Sequence, residues 1–211
     1  MAEIWATVRP EREELAADLQ AIDGAAWETP SLCSGWTVRD VLAHMTALAR
    51  MTPARFFHKL VASGFHPSVL QARDITLEKG GSVEETLAGF RSVTAGKNRL
   101  PGTDRVMLGE TLVHAEDIRR PLGISHEYPL GALVTVADLY KGSNLIAGSR
   151  TRIAGLSLHA TDAGWSTGSG PVVSGRLLSL VMAMAGRRAA VEDLEGEGVE
   201  ALRSRTGPAP R

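Results

Sequence analysis

Hydrophobic positions along this chain recur at spacings of three and four through most of its first 145 residues. Leu15, Leu19 and Ile22 fall at i, i+4 and i+7, which predicts a helix over residues 11–22 that Gly24 stops. Pro10 suits the first turn of that helix and leaves open whether the residues before it are helical. Thr37-Val-Arg-Asp40 reads as a capping box that starts a second helix, with Val38, Val41, Met45 and Leu48 on one face. His44, three after Val41 and four before Leu48, belongs to that inward face. Ser82-Val-Glu-Glu85 reads as another box, followed by the stripe Leu87, Phe90, Val93. Further helices are predicted over residues 104–120, ended by Pro121 and Gly123, and from Pro129 to about Leu145. Residues 57–81 are punctuated by Gly64, Pro67 and the Gly80-Gly81 pair and show no clear period.

After residue 150 the period changes. Leu156, Leu158 and Ala160 alternate with Gly155, Ser157 and His159, the two-residue repeat of a strand. The stretch 162–170 is rich in Gly, Ser and Thr and reads as a turn, so Pro171-Val-Val-Ser174 is expected to pair back as a hairpin. Leu177, Leu178, Val181 and Met184 predict a covering helix that stops at Gly186. The expected architecture is mainly α. A helical bundle over residues 1–150 is followed by a small α+β unit over 151–205 and a disordered tail over 206–211.

Composition narrows the function classes. With 211 residues, 44% hydrophobic and 22% charged, the chain has the make-up of a globular protein with a real core. A formal charge of -1 and scattered basic residues give no electrostatic footprint for nucleic acid. The longest apolar stretch, near Leu177–Ala185, is too short to span a bilayer. One cysteine, Cys33, permits no intrachain disulfide and fits a reducing cytosol. No secretory signal is expected at the acidic N-terminus, so the expected location is the cytoplasm. Neither nucleic acid nor membrane is expected as a partner.

The informative run is Gly109-Glu-Thr-Leu-Val-His-Ala-Glu-Asp-Ile-Arg-Arg120. Glu110 and His114, four apart, share one helix face, and Asp117 continues it. With inward-facing His44 they bring two imidazoles and a carboxylate together from two helices, the way bundle cores build metal sites. Three protein ligands leave a coordination position open, as catalytic zinc sites do, although the same set suits other divalent metals. Each part alone has a plainer reading. A Glu-x-x-x-His pair is common on exposed helix faces, and a lone inward histidine is more often a hydrogen-bonded core residue. Jointly, burying all three without a partner would cost several kcal/mol, roughly.

Trp27-Glu-Thr-Pro-Ser-Leu-Cys-Ser-Gly-Trp-Thr-Val-Arg-Asp-Val-Leu-Ala-His44 resembles the N-terminal motif of the mycothiol-dependent maleylpyruvate isomerase family, in the DinB-like superfamily of metal-binding four-helix bundles. Glu110-x-x-x-His114-x-x-Asp117 resembles its second motif. His159-Ala-Thr-Asp-Ala-Gly-Trp165, Gly168-Ser-Gly170, Gly175 and Gly186-Arg187 resemble its C-terminal sterol-carrier-like domain. The resemblance implies zinc on His44, Glu110 and His114, with the sulfur of mycothiol at the open position. It also implies Asp117 hydrogen-bonded to a ligand imidazole, and Arg187 as the C-terminal arginine serving the reaction. Thiolate would add to an activated double bond, allow rotation and be eliminated, while a transferase would keep the adduct. The implied partners are a small thiol and an electrophilic small molecule, in a monomer or homodimer. The alternative is a non-catalytic metal-binding or regulatory protein of the same fold. Cys33, Trp36 and Trp165 are read as packing residues, His159 as surface or cleft-lining, and His58, His66 and His126 as lacking ligand spacing.

Overall fold

The structure, a computed structural model, describes residues 2–144 and 147–207. They form two compact units, Met1–His126 and Glu127–Arg211. The first is all-helical: α1 (Ala2–Gln20), a 3-10 turn (Ala25–Glu28), α2 (Val38–Ala49), α3 (Pro53–Ala62), α4 (Pro67–Lys79), α5 (Val83–Arg91) and α6 (Asp104–Arg119).

Helix α1 begins well before the expected residue 11. Trp5, Val8, Leu15 and Leu19 make one buried stripe at helical spacing, with Arg12 in the middle of it. Pro10 lies inside the helix on its exposed side, where water can satisfy the carbonyl its missing N–H leaves unpaired. Helix α2 is the centre of the bundle. It packs on α4, α5 and α6, and Val38, Val41, Leu42, Ala43 and Met45 are buried around most of its circumference. Its capping box is complete: the Asp40 amide donates to Thr37 Oγ1, and the Thr37 amide donates to Asp40 Oδ2 at 2.9 Å. The second predicted box is only half formed. The Glu85 amide donates to Ser82 Oγ, but the Glu85 carboxylate accepts from the Gly81 amide at 2.6 Å. Residues 57–81, without a legible period, form most of α3 and α4, joined through Gly64 and Phe65.

The second unit contains α7 (Leu130–Gly142), α8 (Ser149–Arg152), β1 (Ser157–Ala160), β2 (Ser166–Gly168), β3 (Val172–Gly175), α9 (Leu177–Met184), α10 (Arg188–Val191) and α11 (Val199–Arg205). The boundary therefore falls between residues 126 and 127, not near 150. Helix α7, which periodicity groups with the bundle, packs on α9 within the second unit. It ends at Gly142, and Leu145 lies outside the described residues. The sheet order is β2-β1-β3. β1 pairs antiparallel with β2 and parallel with β3, so the Gly/Ser/Thr stretch read as a turn contains the hairpin's second strand. Gly168 makes this possible, since at φ 82° a Cβ there would lie 2.1 Å from the Leu156 carbonyl oxygen. Thr206 is buried and bonded to the Leu202 carbonyl, so the expected disordered tail does not begin there. Residues 208–211 lie outside the described part. No helix among the described residues is long and apolar enough to cross a membrane.

Candidate metal centre

The site is assembled by a loop and two helices of the first unit. Between the 3-10 turn and α2 the chain is folded tightly on itself. The Ser31 amide donates to the Trp36 carbonyl at 2.9 Å, the Trp36 amide to the Cys33 carbonyl, and the Leu32 amide to the carbonyl of Asp117 on α6. That loop delivers Thr37 as the cap of α2, and His44 follows two turns later, buried toward α6. From α6 come Glu110, His114 and Asp117, one turn apart along the face that meets α2.

Glu110 Oε2 lies 3.0 Å from His114 Nε2 and 3.7 Å from His44 Nε2. One donor atom from each of the three residues fits within 4.8 Å of the others. The two imidazoles meet edge to face with centroids 5.0 Å apart, and Trp36 stacks at a tilt 5.1 Å from His44. Behind His114, Asp117 Oδ2 is 2.9 Å from Nδ1, and Asp117 is fully buried. A neutral His114 that donates from Nδ1 to this carboxylate turns the lone pair of Nε2 toward Glu110 and His44.

Electrostatics follow from these contacts. Burial holds the His44 imidazole below its ordinary range despite the pull of Glu110. For Glu110, burial opposes the charge, but hydrogen bonds to His114 and His44 outweigh it and leave the carboxyl well below the usual range. Burial also opposes a charged His114. Asp117, then Cys33 and Glu110, outweigh it and keep that imidazole well above its ordinary value.

Ligand atoms bound to zinc at ~2.0–2.1 Å in a tetrahedron stand roughly 3.3 Å apart. The separations of 3.0 and 3.7 Å bracket that value, and two nitrogens with one carboxylate oxygen match the metal's donor preference. The three residues fit a divalent cation. A second cluster, Glu11, Glu14 and His126, does not. His126 Nε2 is 2.9 Å from Glu11, but the fully buried Arg119 guanidinium approaches the same carboxylate at 3.7 Å and supplies the positive charge. His126, which lacks ligand spacing in the sequence, is thus part of a structural ion-pair network.

Cys33 is placed differently from the packing role expected of it. Its Sγ–H donates to Asp117 Oδ2 at 3.0 Å and stands 3.7 Å from His114 Nδ1. The signal was its place in the loop that precedes α2, but no spacing rule ties residue 33 to residue 117. Arg187 belongs to the second unit, just before α10, where its Nη1 donates to the Ala185 carbonyl at 2.8 Å. His159 is exposed and bonds Ser157. Trp165 is buried, with its indole N–H donating to Asp138.

A helical bundle that brings two histidines and a glutamate together from facing helices has the arrangement in which bundle cores build metal sites. Residues 8–95 match the profile of the mycothiol maleylpyruvate isomerase N-terminal domain. Two solved structures share the fold. One is the mycothiol-dependent maleylpyruvate isomerase, with a TM-score of 0.53; the other is a single-site variant of that enzyme, with a TM-score of 0.56. Each is 19% identical over 93% of this chain and 92% of the other. No curated protein matches the chain.

Proposed function

We propose that this chain is a zinc-dependent enzyme that uses a low-molecular-weight thiol, mycothiol, to isomerise an electrophilic small molecule or transfer sulfur to it. The observation that carries this reading is Glu110 Oε2 between two imidazole Nε2 atoms, at 3.0 and 3.7 Å. The names of the two fold relatives support the thiol. His44, Glu110 and His114 would hold the metal, and with one carboxylate among three ligands the site keeps a net charge of +1. A cation there supplies the positive field that keeps a thiol sulfur ionised. Asp117 fixes the tautomer and plane of His114, and buried neighbours hold His44 ready as a neutral ligand. Trp36 packs at a tilt beside His44, with ring centroids 5.1 Å apart.

Arg187 is assigned, on its resemblance alone, as the residue that reads a negative charge on the substrate, because a guanidinium offers bidentate hydrogen bonds. The single half-buried cysteine, with no membrane-crossing helix among the described residues, supports a cytoplasmic location.

Turnover of the zinc-loaded protein with a panel of activated alkenes and other electrophiles, with and without mycothiol, tests the reading. Thiol-dependent turnover that disappears in His114→Ala is expected. Stoichiometric zinc without turnover of any electrophile would leave the non-catalytic alternative. Arg187→Ala should keep zinc and fold but lose activity, with Arg188→Ala as the control. A silent Arg187→Ala would remove that residue from the reaction.

A further inference from the structure

The helical hairpin α3–α4 leaves most of its large apolar side chains exposed. Helix α3 is sharply amphipathic, yet none of its residues is buried. Its polar side chains Arg55, His58 and Lys59 line an open groove of about 740 Å³ together with Arg50, Leu77 and Glu78. The inward face of α4 is acidic, with Asp74 paired to Lys59 and Glu78 to Arg50. Large apolar side chains are exposed along both helices. Phe56, Phe57, Val61, Phe65, Val69 and Leu77 account for six of the eight exposed large hydrophobic side chains among the described residues. Phe57, Phe65 and Leu77 are 67, 66 and 70% exposed. Phe65 is also the sole non-glycine residue with positive φ among the described residues, at 63°, a backbone state that a bulky side chain adopts at a cost. Such a patch, on the order of 500 Å², is at the upper end of what a monomer shows and is often functional.

The charges around the patch indicate what covers it. Across residues 53–79 the only acids are Asp74 and Glu78, both buried and paired. Lys59 and Lys79 are paired with Asp74 and Asp40, but the two arginines are not matched in this way. Arg55 donates to the Arg50 carbonyl and Arg73 to the Ala62 carbonyl at 2.7 Å, and neither guanidinium is paired with a carboxylate. Arg73 lies between Val69 and Leu77 on one stripe of α4, so positive charge is set within the apolar surface. A second copy of the chain would bring these arginines against their equals. An anionic lipid surface would receive the phenylalanines in its interface and the guanidiniums among its headgroups.

We propose that the outer face of α3–α4, centred on Phe57, Phe65 and Arg73, docks peripherally on an anionic bilayer. The expectation of no membrane partner rested on the absence of a spanning segment, which peripheral docking does not need. The metal centre is not involved, since none of its three ligands lines this surface.

Cosedimentation of the full chain with phosphatidylcholine vesicles, with and without phosphatidylglycerol, tests the proposal. Binding should require phosphatidylglycerol, weaken with salt, and fall about fivefold for each of Arg55→Gln and Arg73→Gln. Phe57→Ser should reduce it by about tenfold or more, from the loss of one buried aromatic side chain. Phe65→Asn provides a variant that folds readily, because asparagine tolerates the left-handed backbone, and it should bind as weakly. Absence of binding, equal binding to neutral vesicles, or full binding by both phenylalanine variants would overturn the proposal. A concentration-dependent dimer that Phe57→Ser dissociates would overturn it too, and would assign the face to a second copy.

Discussion

Asp117 is the residue on which the geometry of the candidate metal centre turns. Its carboxylate is buried and accepts from both His114 Nδ1 and Cys33 Sγ, so it sets which nitrogen of His114 faces Glu110. Asp117→Asn should lower zinc affinity about 10–100-fold, as loss of such partners does elsewhere, while Cys33→Ser should change it little. Isothermal titration of the metal-free protein checks both. His114 also gives zinc uptake a pH dependence. Its pKa in the folded, metal-free protein is raised, so the imidazole carries a proton at neutral pH that the metal must displace. Affinity should therefore climb with pH, about tenfold per unit, and level off once pH passes the raised value. An affinity flat from mildly acid to mildly alkaline conditions would contradict that charge state. At this scale the sequence was informative where spacing is helical. Glu110, His114 and Asp117 share one face by periodicity, and His44 was legible as an inward histidine. Cys33 and the Glu11–His126 pair were not, because they join residues 84 and 115 positions apart.

Helix α1 shows how a single polar residue hides the first half of an element. The stripe Trp5, Val8, Leu15, Leu19 is regular, but Arg12 occupies the position where an apolar residue would complete it. That guanidinium is buried, its Nε has no partner, and its one hydrogen bond runs to the Gly96 carbonyl at 3.4 Å. Burial pushes its pKa down to about 10. A stacking contact with Trp5 at 6.0 Å is its main compensation. Arg12→Met keeps the volume and removes the buried charge, and should stabilise the protein by about 1–2 kcal/mol in denaturant unfolding. A loss of stability would mean that the cation–π contact outweighs the desolvation. The hairpin α3–α4 was illegible for a related reason. Acids face inward and phenylalanines outward, so a pattern that assumes a buried apolar face finds no period. The sheet was half legible: alternation located β1, but pairing β3 parallel to it depends on contacts that periodicity does not carry.

For the molecule as a whole, the two compact units meet between residues 126 and 127. The change of period near residue 150 marks where strands begin, not where the units divide, because α7 buries Leu133, Val136, Ala137 and Tyr140 in the second unit. A fragment ending at residue 126 should stay helical, remain soluble and bind one metal ion. One ending at residue 150 carries α7 without α9 and should aggregate. Circular dichroism and light scattering of the two fragments decide between these boundaries, and a better-behaved longer fragment would restore the one near 150. The candidate metal centre lies wholly within the first unit, so its test needs only a probe at the metal. Cobalt(II) in place of zinc makes the ligand set visible by absorption. Adding a small thiol to the cobalt-loaded protein should produce a sulfur-to-metal charge-transfer band that is lost in His44→Ala and His114→Ala. A cobalt spectrum unchanged by thiol, or a band that survives both substitutions, would contradict a thiol-activating metal at His44, Glu110 and His114.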